Sequence, residues 1–424
     1  MNENIDNNTS KIKASMIGTL PPIKGMSDYC IELVESLANY VNIDFISFKK
    51  LYPEFLYPGG TKDMDLNFKL NKKDNVKIRT FITYYNPFTW AWAGWSAKSN
   101  VLHIQWWTTF LAPMTFTHML FAKLKRKKII LTVHNVVGHE TNWIDKLISR
   151  IIFMFPDHFI LHSDNSIREF QKYFKKPSNK VSRIPHGIYD LYRNEETTKE
   201  KSRERLNIAL NLKNTNKEIK QDTPLILTFG NIREYKGVDI LIEAFAKVKQ
   251  QLPDALLVIA GKNWVSWEPN QKLIDKYNLK DSIITFLEYV PMSDVKHHFT
   301  AADVIALPYK HFDSQSGPGN ISLAFHKPLI VSNQGGLPDL VKNKEFVIET
   351  NDVDALAEKL IKILKNQELQ KQLSIDAEDL CEEFSWDSVA KKTAELYKQF
   401  IPNDLNNKEE QKQQIEQEKQ ENSD

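Results

Sequence analysis

Pro224-Leu225-Ile226-Leu227-Thr228-Phe229-Gly230-Asn231-Ile232-Arg233-Glu234-Tyr235-Lys236-Gly237 joins a short, branched apolar run to a segment where Val238, Leu241, Ile242, Phe245 and Val248 recur at helical spacing. That pattern predicts strand, turn and helix. A helix opening at Gly237 directs unpaired N–H groups at the turn. Arg233 and Lys236 add full charges where the macrodipole already favours an anion. The turn is therefore a candidate phosphate site. The alternative at this stage is a pair of solvated cations with Glu234 beside them.

The same alternation runs outward in both directions. Downstream, apolar runs at 255–260, 282–286, 304–307 and 329–332 alternate with helical patterns. Upstream, a run at 12–17 is followed by a loop at 18–27 and an amphipathic stretch carrying Ile31, Val34, Leu37, Ala38 and Val41. Further runs lie at 43–48, 101–104, 128–133, 158–162 and 181–184. Such alternation argues for parallel sheets covered by helices. The expected fold is α/β, with two doubly wound Rossmann-like domains facing a cleft. The expected boundaries are a disordered tail 1–10, an N-terminal acceptor-side domain 11–193, a charged, Asn-rich linker 194–222 and a C-terminal donor-binding domain 223–385. A helix at 386–401, free to pack back on the N-terminal domain, and a polar disordered tail 402–424 complete the chain.

A chain of 424 residues is long enough for two such cores. A formal net charge of +2 gives no strong attraction to nucleic acid, and none is expected as a partner. The charge is unevenly placed, because residues 1–190 hold 25 Lys and Arg against 16 Asp and Glu, or +9, which leaves −7 for the rest. The polar start shows no secretory leader, and 147–161 is interrupted by Arg150, Pro156 and Asp157, so no membrane span is expected. The two cysteines, Cys30 and Cys381, sit in helical patterns of different halves and read as buried free thiols of a reducing, cytoplasmic compartment. Clusters at 123–128 and 172–180, near the aromatic stretch 88–95, suit either contact with the anionic inner face of a membrane or simple solvation.

A second loop resembles the first. Leu307-Pro308-Tyr309 closes a strand, and Ser314-Gln315-Ser316-Gly317-Pro318-Gly319-Asn320 leads into another helix. Ser316 or Gly317 suits the cap and Pro318 the first turn. Two such loops in one domain supply donors for the two phosphates of a diphosphate.

With these pieces in place the sequence resembles glycosyltransferase family 4, from Lys11 to about Phe400. The matching motifs are the 230–237 turn, Ala302-Asp303, Lys327-Pro328-Leu329-Ile330-Val331 and Gly335-Gly336-Leu337-Pro338-Asp339. In the first half they are Thr132-Val133-His134-Asn135, His139-Glu140 and Ile184-Pro185-His186-Gly187. The resemblance implies the two-domain GT-B fold and sugar transfer from a nucleotide-diphosphate sugar to a glycan or lipid-linked glycan hydroxyl, with retention, in surface polysaccharide or glycoconjugate synthesis. It implies no cofactor beyond the donor substrate, and no metal.

The same resemblance gives catalytic roles to His134, Arg233 and Lys236. It implies donor contacts at Gly25, Arg233, Lys236, Gly317 and Gly319; Ser316 and Asn320 join the donor side by their place in the second loop, and His103, Asn135 and His186 are acceptor or sugar contacts by their places on strands and strand ends. His103 and Gln105 alternate on a strand beside Trp106 and Trp107, which either offer a sugar a flat face or pack in the core. His186 lines the acceptor side or forms a turn. The family pattern of two glutamates eight positions apart becomes Asp313 and Ile321 here, which shifts ribose recognition toward Asn320. That departure motivates one rival reading, a silent GT-B scaffold, and the shared two-domain fold leaves a second, a nucleotide-sugar epimerase.

Overall fold

The computed structural model of the chain describes residues 12–23, 26–53, 73–136, 143–188, 197–212, 217–312 and 316–401. It contains two compact units. One is Met1–His162, Ile167–Gly187 and Trp386–Asp424, and the other is Ser163–Ser166 and Ile188–Ser385.

The first unit holds seven parallel strands, β1 (Ile12–Gly18), β2 (Val41–Lys50), β3 (Val76–Thr83), β4 (Val101–Trp106), β5 (Lys128–Val133), β6 (His158–Leu161) and β7 (Val181–Arg183). Their order is β3-β2-β1-β4-β5-β6-β7. Met16 stands opposite Phe45 on one side and His103 on the other, and His103 opposite Ile130, so the centre of the sheet is covered on both faces. The second unit holds six, β8 (Leu225–Phe229), β9 (Leu256–Ala260), β10 (Ile283–Phe286), β11 (Val304–Leu307), β12 (Leu329–Ser332) and β13 (Val347–Ile348). Their order is β10-β9-β8-β11-β12-β13. Both sheets reverse direction once, between β1 and β4 and between β8 and β11. In such sheets the carboxyl ends at the reversal open a ligand crevice. In the second unit those ends lead directly into the 230–237 turn and into Pro308-Tyr309.

Strands β3 and β13 were not foreseen. In β3 the cations Lys77 and Arg79 interrupt the apolar pattern, as suits an edge strand, with Arg79 paired to Asp44 at 2.6 Å. β13 has only two residues. The helix Trp386–Lys398 belongs to the first unit, where Trp386, Val389, Ala390 and Tyr397 share a core with Val34 and Leu37.

The expected linker 194–222 differs most. It contains the helix Lys199–Leu212, which packs into the second unit through buried Leu206 and Leu210. Its anchor is Arg203, a wholly buried side chain that donates to the carbonyls of Ala301, Lys220 and Gln221 and lies 3.1 Å from the Asp303 carboxylate. A run rich in charge reads as solvated until the partner of one cation, about a hundred residues away, is known. Replacing Arg203 by Met leaves three buried carbonyls without their donor and removes one of the two cations on Asp303, which keeps Lys199 and the Leu225 N–H. It should cost about 3–5 kcal/mol in urea unfolding of the second unit, whereas Arg205→Met, at an exposed pair, should cost about 1 kcal/mol or less.

Candidate functional site

Two glycines shape the turn after β8. Gly230 has φ 107° and Gly237 has φ 67°. A Cβ at Gly237 would stand 2.0 Å from the Pro308 carbonyl oxygen, so the turn lies against the end of β11 only because that residue is glycine. The short 3-10 segment Glu234–Lys236 sends the two cations different ways. Arg233 is exposed, with its guanidinium 5.2 Å from the Trp264 ring centre, and the Lys262 ammonium lies 4.5 Å from the same ring.

Lys236 turns inward and is only 8% exposed. Its Nζ donates to the Tyr309 hydroxyl and lies 3.9 Å from that ring's centre. Among the described residues no carboxylate comes within ion-pair distance of it. Burial lowers its pKa from 10.5 to about 7, so near neutrality this lysine is poised to take up a proton if an anion arrives. Tyr309 is itself buried, and its hydroxyl lies 3.1 Å from Ser316 Oγ. Ser316 caps the helix Gly317–Ala324 by accepting from the Gly319 N–H at 3.2 Å. Lys236, Tyr309, Ser316 and Gly319 thus form one continuous polar chain that ties the two expected anion loops together.

The Gly319 amide, expected to hold a phosphate, is engaged in the cap. Pro318 has no N–H, and Asn320 N donates to the Ser316 carbonyl at 2.9 Å. Among the described residues nothing lies within 4 Å of where a Cβ on Gly317 would point, which suits close approach of a ligand to the backbone. Asn320 is 1% exposed, yet among the described residues neither its amide oxygen nor its amide nitrogen has a hydrogen-bond partner. An orphaned buried amide costs about 1–3 kcal/mol. A ligand carrying hydroxyls at this loop would recover it. Ile321, where the family pattern has an acid, is buried in the core.

The first unit presents a different chemistry. His134 follows β5, His162 follows β6, and His186 lies just beyond β7, so three neighbouring strand ends each carry an imidazole. His162 Nδ1 donates to the Ile184 carbonyl at 2.9 Å. Its Nε2 is therefore a lone pair, and His134 Nδ1, 3.1 Å away, must carry the proton. The His134 Nε2 lies 2.8 Å from the side-chain amide of Gln105, which also reaches His103 at 3.3 Å. Two neutral rings require the amide nitrogen on the His134 side; the amide oxygen there would demand one more proton than they hold. Burial, then the neighbouring imidazoles, push His134 well below 6.5, and burial puts His162 at about 3. The cluster is neutral. Tyr29 stands edge-on to His134 at 4.6 Å and 5.0 Å from His186.

Other expected residues are placed differently. His103 is 0% exposed, with Nδ1 2.6 Å from the Tyr397 hydroxyl and Nε2 2.6 Å from Thr132 Oγ1. It supports the sheet from within rather than meeting a sugar, because register with β1 and β5 holds it in the middle of the strand. Trp106 is likewise core, while Trp107 is partly exposed and donates to Tyr52. Asn135 donates to the Trp107 carbonyl at 2.9 Å. His186 is buried, its Nδ1 2.7 Å from the Gly187 carbonyl. Gly25, Asp313, His139 and Glu140 lie outside the described residues. Tyr309, Trp264 and His162 carry weight that sequence reasoning did not give them, although each directly follows a strand end or its loop, which is the signal that would have found them.

Residues 212–379 match the family model described as "Glycosyl transferases group 1". Among curated relatives, the GDP-mannose-dependent alpha-(1-6)-phosphatidylinositol monomannoside mannosyltransferase of Mycolicibacterium smegmatis is 22% identical over 264 residues, 59% of this chain and 64% of that one. The chain spans about half the length of the first curated relatives it matches, 46% and 55%. Among solved structures, a glycosyltransferase from Rickettsia africae superposes with TM-score 0.65 at 19% identity over 93% of this chain and 100% of that one. HepE of Anabaena in complex with UDP superposes with TM-score 0.67 at 13% identity over 92% and 100%.

The orphaned amide yields a direct test. Asn320→Leu should raise the thermal unfolding midpoint of the ligand-free protein, by the equivalent of about 1–2 kcal/mol, while shrinking the further rise that a nucleoside diphosphate produces. A lower midpoint with an undiminished ligand effect would mean that the amide serves the fold alone.

Proposed function

We propose that this chain, a GT-B protein whose residues 212–379 form a group 1 glycosyl transferase domain, moves a sugar from a nucleoside diphosphate sugar to a hydroxyl of a glycan or lipid-linked glycan. The observation that carries the reading is the buried Lys236 ammonium at the β8–β11 reversal, hydrogen-bonded to Tyr309 and without a carboxylate among the described residues. Such a group is incomplete until an anion reaches it. Arg233, held over Trp264, supplies a second cation at the same turn.

As the C1–O bond to the diphosphate breaks, negative charge grows on a phosphate oxygen. Cations and amides that hold that oxygen more tightly in the transition state lower the barrier. We assign this compensation to Arg233, Lys236 and the Gly317 loop, with no metal in the reading. The acceptor oxygen forms the new bond to C1, and its proton passes to the departing phosphate. This is the retaining course that the family resemblance implies. His134, kept neutral by its neighbours, is read as a hydrogen-bonding group for the transferred sugar, with Asn135 and His186 nearby in the same unit. Asn320 is read as the ribose contact. The enzyme would serve surface polysaccharide or glycoconjugate synthesis at the cytoplasmic face of a membrane.

A panel of UDP-, GDP- and ADP-sugars with glycan and lipid-linked acceptors tests this. Wild type should transfer from one nucleotide class, and Arg233→Ala and Lys236→Ala should each lower kcat/KM by about 10²–10³-fold. Donor isomerised without an acceptor would identify an epimerase, and donor bound but never transferred would identify a silent scaffold.

A further inference from the structure

Of the seventeen large apolar side chains exposed among the described residues, twelve lie between Tyr85 and Met154. Nine of the twelve fall on three helices of the first unit, Pro87–Ser96, Ala112–Leu124 and Trp143–Ile152, and Tyr85, Phe110 and Met154 lie within two residues of their ends. The first two are nearly in backbone contact, since a Cβ at Gly94 would meet the His118 carbonyl oxygen at 2.1 Å. Phe116 of the second meets Phe155, three residues beyond the third, at 5.1 Å, and Thr109, in the turn that leads into the second, donates to Asp145 of the third at 2.7 Å. Phe88, Trp92 and Trp95 share one side of their helix, and Phe88 is 85% exposed. Trp143, Ile144, Leu147 and Ile151 likewise share one side of theirs, with Trp143 73% exposed. Patches of this kind mark a partner surface.

We propose that this three-helix face docks on the headgroup layer of an anionic lipid bilayer. The charge pattern selects that occupant over a protein. Residues 85–154 hold eight Lys and Arg against two Asp and Glu, whereas the cores of protein interfaces are depleted of charge. Asp145 is engaged by Thr109, and Lys123 and Lys127 bond within the unit. Lys125 lies 4.0 Å from the Trp95 ring centre, and Arg126, Lys146 and Arg150 stand on the same helices or their ends. Aromatic rings at headgroup depth with lysines toward lipid phosphates describe an interfacial helix. Among the described residues no helix is long and apolar enough to cross a membrane, so the face lies on the bilayer. The helix Trp143–Ile152 begins nine residues after His134. The proposal rests on reading the first unit as the acceptor side, and it makes that acceptor lipid-borne.

The test is flotation of the full chain with vesicles of phosphatidylcholine alone or with 30–40% phosphatidylglycerol, roughly the anionic content at which surface potential matters, without donor or acceptor. Binding should need the anionic lipid and weaken in 0.5 M salt, taken as about three times physiological ionic strength. Leu147→Glu with Ile151→Glu should reduce partitioning by about tenfold or more, as should Lys125→Glu with Arg126→Glu. Both variants should retain wild-type circular dichroism and wild-type response to nucleoside diphosphate. Folded wild type that ignores anionic vesicles overturns the proposal. So does equal binding to both vesicle types, or a self-associated protein that Leu147→Glu renders monomeric. Because no sugar transfer is measured, vesicle binding stands or falls apart from the transferase reading.

Discussion

Desolvation of one ammonium group organises the second unit. Moving the Lys236 pKa from 10.5 to about 7 corresponds to on the order of 5 kcal/mol of lost preference for the charged form. A fold tolerates that loss when a ligand restores it. Much of the local design serves the placement of this nitrogen. Gly237 lets the turn press against Pro308, Tyr309 receives the Lys236 proton donor, and Phe312 lies parallel to Tyr235 at 6.0 Å, closing the aromatic wall. The Ser316 cap carries the same hydrogen-bonded chain on to the second loop. A diphosphate at this point would meet a nitrogen already oriented and needing only its proton, so little reorganisation of the chain remains for the reacting complex.

The first unit follows the opposite logic. Its polar residues at the strand ends are imidazoles held neutral by burial and by one another, with tautomers fixed in sequence by Ile184, His162, His134 and Gln105. Charge there would cost more than it contributes. A neutral hydroxyl-rich guest suits such a surface, as an anion suits the other unit. His103 and Tyr397 lock the underside of this cluster to the helix Trp386–Lys398, so the end of the chain helps to set the geometry of residues near position 134.

The sequence made most of this legible where local pattern and tertiary role agree. The run 225–229, the turn glycines and the helical spacing after Val238 all point one way, and the strand, the turn and the helix Val238–Gln251 follow them. It was less legible where a role depends on a distant partner. Arg203 looks like one charge among many until Asp303 and the Ala301 carbonyl surround it. Lys77 and Arg79 hide β3, because an edge strand tolerates the cations that a central strand would not. His103 alternates as a surface residue would, but the sheet register places it between β1 and β5. Asn320 enters the sequence reading only because Ile321 stands where the family pattern has an acid, and in the fold its side-chain amide has no hydrogen-bond partner among the described residues.

The most direct measurement is the protonation of Lys236 itself, followed by NMR of the side-chain amine labelled with nitrogen-15, with Lys236→Arg used to assign the signal. In the free protein it should titrate near 7, and saturating nucleoside diphosphate should move that titration upward by about two units or more, with proton uptake when binding occurs at pH 8.5. The sign follows from the lowered free-state pKa: above about 7 the free amine is neutral, so an anion must recruit a proton, and affinity falls as pH rises. A lysine that titrates near its ordinary value of about 10.4 and ignores the nucleotide would contradict the account.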